Sequence, residues 1–313
     1  MVDDNNTIPK LNIKASPADF RDFDYKITES VPDIFDIRND LKDVRNQGNQ
    51  GSCFAFSAAC MKEYQEFKDY KNTEYMSPQF FYDNRFNLYD DINDNDEGMY
   101  GRDVMKLLLT IGICLEKEYP YGDIKNKENI SSEIYESAKK HRCKSYGRIY
   151  TIDSLKSALI NNGPCLICLP VYNYGKYMWK PENEDQKFNG GHAMTIVGYN
   201  KTGFIIRNSW GKNWQDNGYC YYPYDQWGSH WEIWTTADDK TVFKKEESEE
   251  PAEPEEKNEE PEEKPAEPEE KPSEPEEKNE EQDPIDPVNK QLYLCVTISS
   301  MILGAIIMLI ILI

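Results

Sequence analysis

Histidine is nearly missing from this chain of 313 residues: His141, His192 and His230 are all there are. Any chemistry built on imidazole therefore has only three candidates. Cationic residues are also scarce, with 36 lysines and arginines against 57 aspartates and glutamates and a formal net charge of −21. A balance so negative lacks the basic footprint that nucleic-acid binding needs. Metal-ligand spacing is missing too. Cys165 and Cys168 form a lone CxxC inside the apolar run 164–169, with no second CxxC and no nearby histidine. In a strand, residues three apart face opposite sides, so zinc is excluded and core packing is expected for both. No metal or cofactor is expected anywhere in the chain. The first seven residues carry neither a basic start nor an apolar run, so no secretory signal is expected.

What the chain does have is one cysteine in a reactive setting. Cys53 follows the turn Gly51-Ser52 and opens the apolar run Phe54-Ala55-Phe56, which reads as a helix N-terminus. Such a terminus carries about half a positive charge and stabilises thiolate over thiol, lowering a cysteine pKa from its ordinary ~8.5. His192 heads a second apolar run in Asn189-Gly190-Gly191-His192-Ala193-Met194, and Asn208 ends a third in Ile205-Ile206-Arg207-Asn208-Ser209-Trp210-Gly211. Two strands carrying an imidazole and an amide, set against a helix carrying a thiol, supply a nucleophile, its base and a group that orients the base.

On these residues the chain resembles the papain-like cysteine proteases, with His192 and Asn208 lying 139 and 155 residues beyond Cys53. Further blocks similar to the family are the run from Val31 to Arg38, Glu118-Tyr119-Pro120-Tyr121, and Gly218-Tyr219. The resemblance covers residues 31–236. It implies Cys53 as nucleophile, His192 as base and then acid, Asn208 as the group orienting the ring, Gln47 in the oxyanion hole and Trp210 shielding the His–Asn pair. Gln50, the competing oxyanion candidate, stands at the wrong offset. The fold it implies is α+β with two subdomains. One is helical around Cys53, the other a β-barrel-like sheet carrying His192 and Asn208, with a cleft between them. Helical spacing over 53–70, 102–112 and 149–160, and short apolar runs from Pro164 onward, agree with that split.

Some positions depart from the family pattern. Phe54 follows the nucleophile where tryptophan is usual, and Gln50 and Asn84 stand where secreted relatives have disulfide cysteines. The eight cysteines are accordingly expected to be reduced thiols. The segment 97–101 lacks the family's usual glycine-rich form, so subsite preference does not carry over. Residues 1–30 are shorter than the family's inhibitory propeptide. Leu11, Ile13, Phe20, Phe23 and Tyr25 suit either an extended peptide lying along the cleft or padding on the domain surface.

Composition changes after about residue 244. Between Glu246 and Asp283 there are twenty acidic residues and four lysines, and nine of the eighteen prolines fall between Pro251 and Pro287. Proline at that density defeats a helix and like charges oppose collapse, so 237–291 reads as a disordered acidic linker. Residues 292–313 then form 22 uncharged, largely apolar positions, enough to span a bilayer. The expectation is a single-pass C-terminal anchor in a viral or host-cell membrane, with a cytosolic catalytic domain and unglycosylated sequons at Asn5 and Asn129. The function expected is a membrane-tethered thiol endopeptidase, monomeric in its catalytic domain, acting on protein or peptide substrates. An exopeptidase or an inactive peptide-binding module is the alternative. Transglutaminases share the three catalytic groups, but the surrounding blocks match the protease family.

Overall fold

A computed structural model describes residues 9–26, 30–85, 98–122 and 130–238. The chain separates into two units, Met1–Pro251 and Ala252–Ile313, and every described residue belongs to the first. Most of the expected acidic linker, the expected anchor at 292–313, Cys295 and the sequons at Asn5 and Asn129 lie outside the described residues. Among the described residues no helix is long and apolar enough to cross a membrane.

Helix α1, Cys53–Tyr70, is the central element. Alanine, methionine, lysine, glutamate and glutamine dominate its interior, all strong helix formers. Its first fourteen residues are buried on every side, so it lies inside the domain and not on its surface. Lys71 ends it in the left-handed conformation at φ 58°. Around it lie α2, Pro78–Asp83, started by Ser77 whose hydroxyl accepts the Phe80 N–H, and α3, Gly101–Thr110. Helix α4, Ser132–Lys140, completes the helical half.

The second half is an antiparallel sheet of seven strands. They are β1 (Phe35–Asp36), β2 (Cys143–Ile149), β3 (Cys165–Val171), β4 (Gly190–Tyr199), β5 (Gly203–Arg207), β6 (Tyr219–Pro223) and β7 (Glu232–Asp238). The order is β2-β7-β3-β4-β5-β6, with β1 added to β4. Among the described residues β2 and β6 do not pair, so the sheet is open where a barrel-like one was expected. Strand β3 is buried along its whole length. Leu166 and Cys168 face the core shared with Cys53 and α3, while Cys165, Ile167 and Leu169 face the core built with α5, Ile152–Asn162. The two CxxC thiols therefore point to opposite sides, each packed as an apolar group.

The domain ends later than the sequence reading placed it. Ala237 and Asp238, assigned there to the linker, continue β7 opposite Ser145 and Cys143. Asp238 stays in the fold because buried Lys62 on α1 reaches both its carboxylate oxygens, at 2.7 and 2.6 Å. Glu66 stands 3.4 Å from the same ammonium.

Candidate active site

The 45–52 loop carries Gln47 and is fastened from two sides. Gln47 donates its backbone N–H to Ser209 O at 2.8 Å, and Gly211 donates to Arg45 O at 3.1 Å. Tyr121, from the Glu118-Tyr119-Pro120-Tyr121 block, donates its hydroxyl to Gln47 O at 2.9 Å and lies 2.6 Å from Ser52 Oγ. The Gln47 side chain is buried, and its partners settle its orientation. Ser209 Oγ donates to Oε1 at 2.6 Å, and Nε2 donates to Gln50 O at 2.9 Å, which leaves one amide hydrogen for another acceptor. Gln50 instead sends its own amide to Gln79 Oε1 and Gly122 O.

Immediately after this loop Cys53 opens α1, fully buried, with Ser52 at the N-cap. The other six described cysteines are also buried and unbridged. Burial pushes the thiols of Cys143, Cys165 and Cys220 up to about 12, and those of Cys60, Cys114 and Cys168 upward as well. Those six are held as neutral thiols, and none of them begins a helix.

His192 is the third residue of β4, in register with Leu169 of β3. Its Nε2 lies 2.7 Å from Asn208 Oδ1, just past the end of β5. An amide oxygen only accepts, so Nε2 carries the hydrogen and Nδ1 is the bare, basic nitrogen of the neutral ring. Asn208 Oδ1 also accepts the Ser209 N–H at 2.7 Å, which holds the amide in place. His192 Nδ1 is buried and has no hydrogen-bond partner among the described residues. The Trp210 indole stacks on the imidazole, centroids 4.6 Å apart and planes 27° apart, and is itself backed edge-on by Trp214. Burial pushes His192 down to about 4, partly opposed by the Asn208 bond. The structure thus joins His192, Asn208 and Trp210 in one contiguous group, and links Gln47 to it through Ser209.

Cys53 and His192 are both fully buried, and residues 9–26 form a strap that passes beside them. Ile13 donates its N–H to Gly191 O at 3.2 Å, and Lys14 donates to Met99 O at 2.8 Å. The strap is therefore bonded to the residue before His192 on one wall and to the 98–101 segment on the other. Ile13, 2% exposed, belongs to the same apolar cluster as Cys53, Met99, Cys168 and Ala193. The approach is close enough that a side chain at Gly98 would place Cβ 1.4 Å from Asn12 O, and one at Gly191 would place it 2.0 Å from Ile13 O. The bonds at Ile13 and Lys14 fit the arrangement along the cleft, while Phe20 and Phe23 are exposed on the domain surface.

Beyond Lys14 the strap is fixed by groups that the sequence reading did not single out. Glu232 Oε1 on β7 accepts Ser16 N–H, Ser16 Oγ–H and Gly101 N–H at 3.2, 3.0 and 3.1 Å. Arg102 and Arg148 both hold Asp22. Tyr25 donates to Arg148 O at 2.9 Å, which lays the strap beside β2. Among the described residues no group of three or more histidines, cysteines and carboxylates is placed to hold a metal ion.

Residues 31–235 match the model of the papain family of cysteine proteases. An uncharacterized peptidase C1-like protein, L477, of Acanthamoeba polyphaga mimivirus is 29% identical over 231 residues, 64% of this chain and 73% of that protein. Mouse cathepsin K is 31% identical over 206 residues, and the match spans 61% of this chain but only 59% of the cathepsin. The crystal structure of xylellain, a cysteine protease from Xylella fastidiosa, superposes with a TM-score of 0.64 at 26% identity, covering 75% of this chain and 100% of that one.

Proposed function

This chain belongs to the papain family of cysteine proteases and is a cysteine-type peptidase, and from that premise we propose that Cys53, His192 and Asn208 hydrolyse peptide bonds through a thioester. The observation that carries the assignment is the 2.7 Å bond from His192 Nε2 to Asn208 Oδ1, which commits the opposite nitrogen to proton transfer. His192 Nδ1 takes the proton of Cys53 Sγ, and the thiolate adds to the scissile carbonyl carbon. The negative oxygen then formed is held by the Cys53 N–H at the start of α1 and by the spare amide hydrogen of Gln47. The imidazolium returns its proton to the leaving amine as the C–N bond breaks and the thioester remains. His192 then draws a proton from water, whose oxygen displaces sulfur and releases the acid. Asn208 and the Trp210 cover keep the ring in the one tautomer that serves every step.

Endopeptidase action is the reading favoured within that chemistry. The strap enters the cleft, bonds to both walls and leaves again, with chain continuing on each side of Ile13. A groove that accommodates the middle of a polypeptide is open at both ends, whereas an exopeptidase blocks one. Neither remaining histidine stands at the groove: His141 caps α4 and pairs with Glu66, and His230 bonds Tyr222. The C-terminal apolar stretch 292–313 would tether this activity to a membrane, with the catalytic domain on the cytosolic side. Residues 9–26 hold the enzyme closed until they are displaced.

The test is labelling by an epoxysuccinyl thiol reagent, read by peptide mass spectrometry on the full chain and on a chain beginning near Val31. Adduct at Cys53 alone, abolished by Cys53→Ala and by His192→Ala, is expected, with the shorter chain reacting faster. A folded shorter chain that takes no label would leave a peptide-binding module. Equal rates for the two chains would remove the inhibitory role of the strap.

A further inference from the structure

Asp22 is held differently from the rest of the strap. Arg102 Nε and Nη2 reach its two oxygens at 2.7 Å each, a bidentate fork, and Arg148 Nη1 adds a third bond at 3.2 Å. The carboxylate side chain is 4% exposed. Burial raises its pKa, but the bonds from Arg102 and Arg148 outweigh burial and hold it below the ordinary carboxylate range.

The receptor half of this contact belongs wholly to the catalytic domain. Arg102 comes from α3 and Arg148 from β2, and both guanidinium groups lie over the Trp234 ring, at 5.9 and 5.5 Å. Two like charges on one indole repel each other and need an anion between them. The nearest domain carboxylate, Glu232, stands 4.0 Å from Arg148 and is engaged at its other oxygen by Gly101 and Ser16. Asp103, beside Arg102 in sequence, is turned to Lys106. Glu232 Oε2 thus remains a more distant domain charge, and the carboxylate in hydrogen-bond contact with both guanidinium groups is supplied by the strap, which lies outside the family match at 31–235. An anchor needing only to hold a strap down would work with apolar contacts. A planar guanidinium fork from Arg102, with a further bond from Arg148, selects a carboxylate.

We propose that Arg102 and Arg148 form a carboxylate-binding subsite of the peptidase, filled in cis by Asp22, which takes an aspartate or glutamate side chain of a polypeptide substrate once the strap has left. This rests on the reading of residues 9–26 as an occupant of the substrate groove. Along the strap, Asp22 is nine residues beyond Ile13, which belongs to the apolar cluster that holds Cys53. The subsite therefore selects substrates by an acidic residue several positions along the chain from the one that takes the place of Ile13.

The experiment uses the full chain carrying Ile13→Lys and Asp22→Asn, which places a charge in the apolar cluster and removes the internal carboxylate. A synthetic peptide of residues 9–26 is compared with its Asp22→Asn version by fluorescence anisotropy, and a peptide library is digested and sequenced by mass spectrometry. The wild-type peptide is expected to bind at least tenfold more tightly, the difference disappearing when Arg102→Gln and Arg148→Gln are both added to the chain. Cleaved peptides are expected to be at least threefold enriched in Asp or Glu at a remote position, and Arg102→Gln combined with Arg148→Gln to abolish that enrichment. Cleavage with no acidic enrichment overturns the proposal while leaving the peptidase assignment intact. Acidic enrichment with no binding of the 9–26 peptide overturns the strap reading and upholds the arginine subsite. If no peptide is cleaved, the anisotropy comparison still decides, equal affinities overturning the proposal. Should the double variant not fold, Asp22→Asn alone is expected to raise the Cys53 labelling rate of the full chain at least tenfold, and an unchanged rate overturns it.

Discussion

Acid should open the strap, by an amount that follows from one imidazole. With the strap in place, burial holds His192 at about 4, and once the strap leaves, water returns the ring to its ordinary value of about 6.5. The group's pKa is lower closed than open, so the closed form keeps its full advantage above pH 6.5 and loses it as pH falls from there toward 4. At pH 5 the open form gains about 1.5 pH units of protonation, roughly 2 kcal/mol, or about a thirty-fold shift in the closed-to-open ratio. Below pH 4 both forms are protonated and the gain levels off near 3 kcal/mol. Asp22 adds nothing in this window, because its arginine partners keep it ionised below the usual carboxylate range. The assay is the rate of Cys53 alkylation by a small neutral reagent, measured at pH 7.5, 6 and 5. Dividing the full-chain rate by that of a chain beginning near Val31 cancels the intrinsic ionisation of the thiol. The quotient should climb about thirty-fold between pH 7.5 and 5, or until it reaches one. A quotient below one that stays flat with pH would show that the strap does not control the environment of His192.

Gly98→Ala tests the strap without touching the catalytic groups: its Cβ would meet Asn12 O at 1.4 Å, so the full chain should label faster while the chain from Val31 labels as before. Gln47→Ala should lower kcat/KM about 100-fold. Ser209→Ala, which removes the hydroxyl aligning Gln47, should cost roughly five-fold in kcat with an unchanged pH profile. Lys62→Ala leaves Asp238 and Glu66 buried without their shared cation, and thermal or denaturant unfolding should show a loss of about 3–5 kcal/mol. Lys62→Met combined with Asp238→Leu should recover most of that loss.

The elements legible in the sequence were those specified locally. The Gly-Ser turn and the alanine-rich run after it marked α1 at both ends, Cys53 and Tyr70, and the unbroken apolar run 164–169 read correctly as a strand packed on two sides. His192 and Asn208 could be placed at a strand head and a strand end because glycines and polar residues bracket those runs. The strap was not decidable. Its apolar residues are sparse, and Phe20 and Phe23, two of those that suggested burial, are exposed in the structure at 98% and 67%. What holds it is Asp22 on Arg102 and Arg148, partners 80 and 126 residues away, and Ser16 on Glu232, 216 away. No local pattern announces such pairings. Distance also explains the misplaced domain boundary. Ala237 and Asp238 look like the start of a charged tail, and only the buried ammonium of Lys62, 176 residues earlier, draws Asp238 into the fold.

The position of that last strand has a mechanical side. Strand β7 is not an edge: it pairs with β2 on one side and β3 on the other. Tension drawn through the chain beyond Asp238 would enter along the strand axis, loading both antiparallel ladders in shear, so that many hydrogen bonds must fail together and not one after another. The Lys62 clamp at the point of entry ties the same load to the central helix that begins at Cys53. A peptidase pulled from its C-terminal side would therefore bear force through its strongest lattice and keep its nucleophile in register.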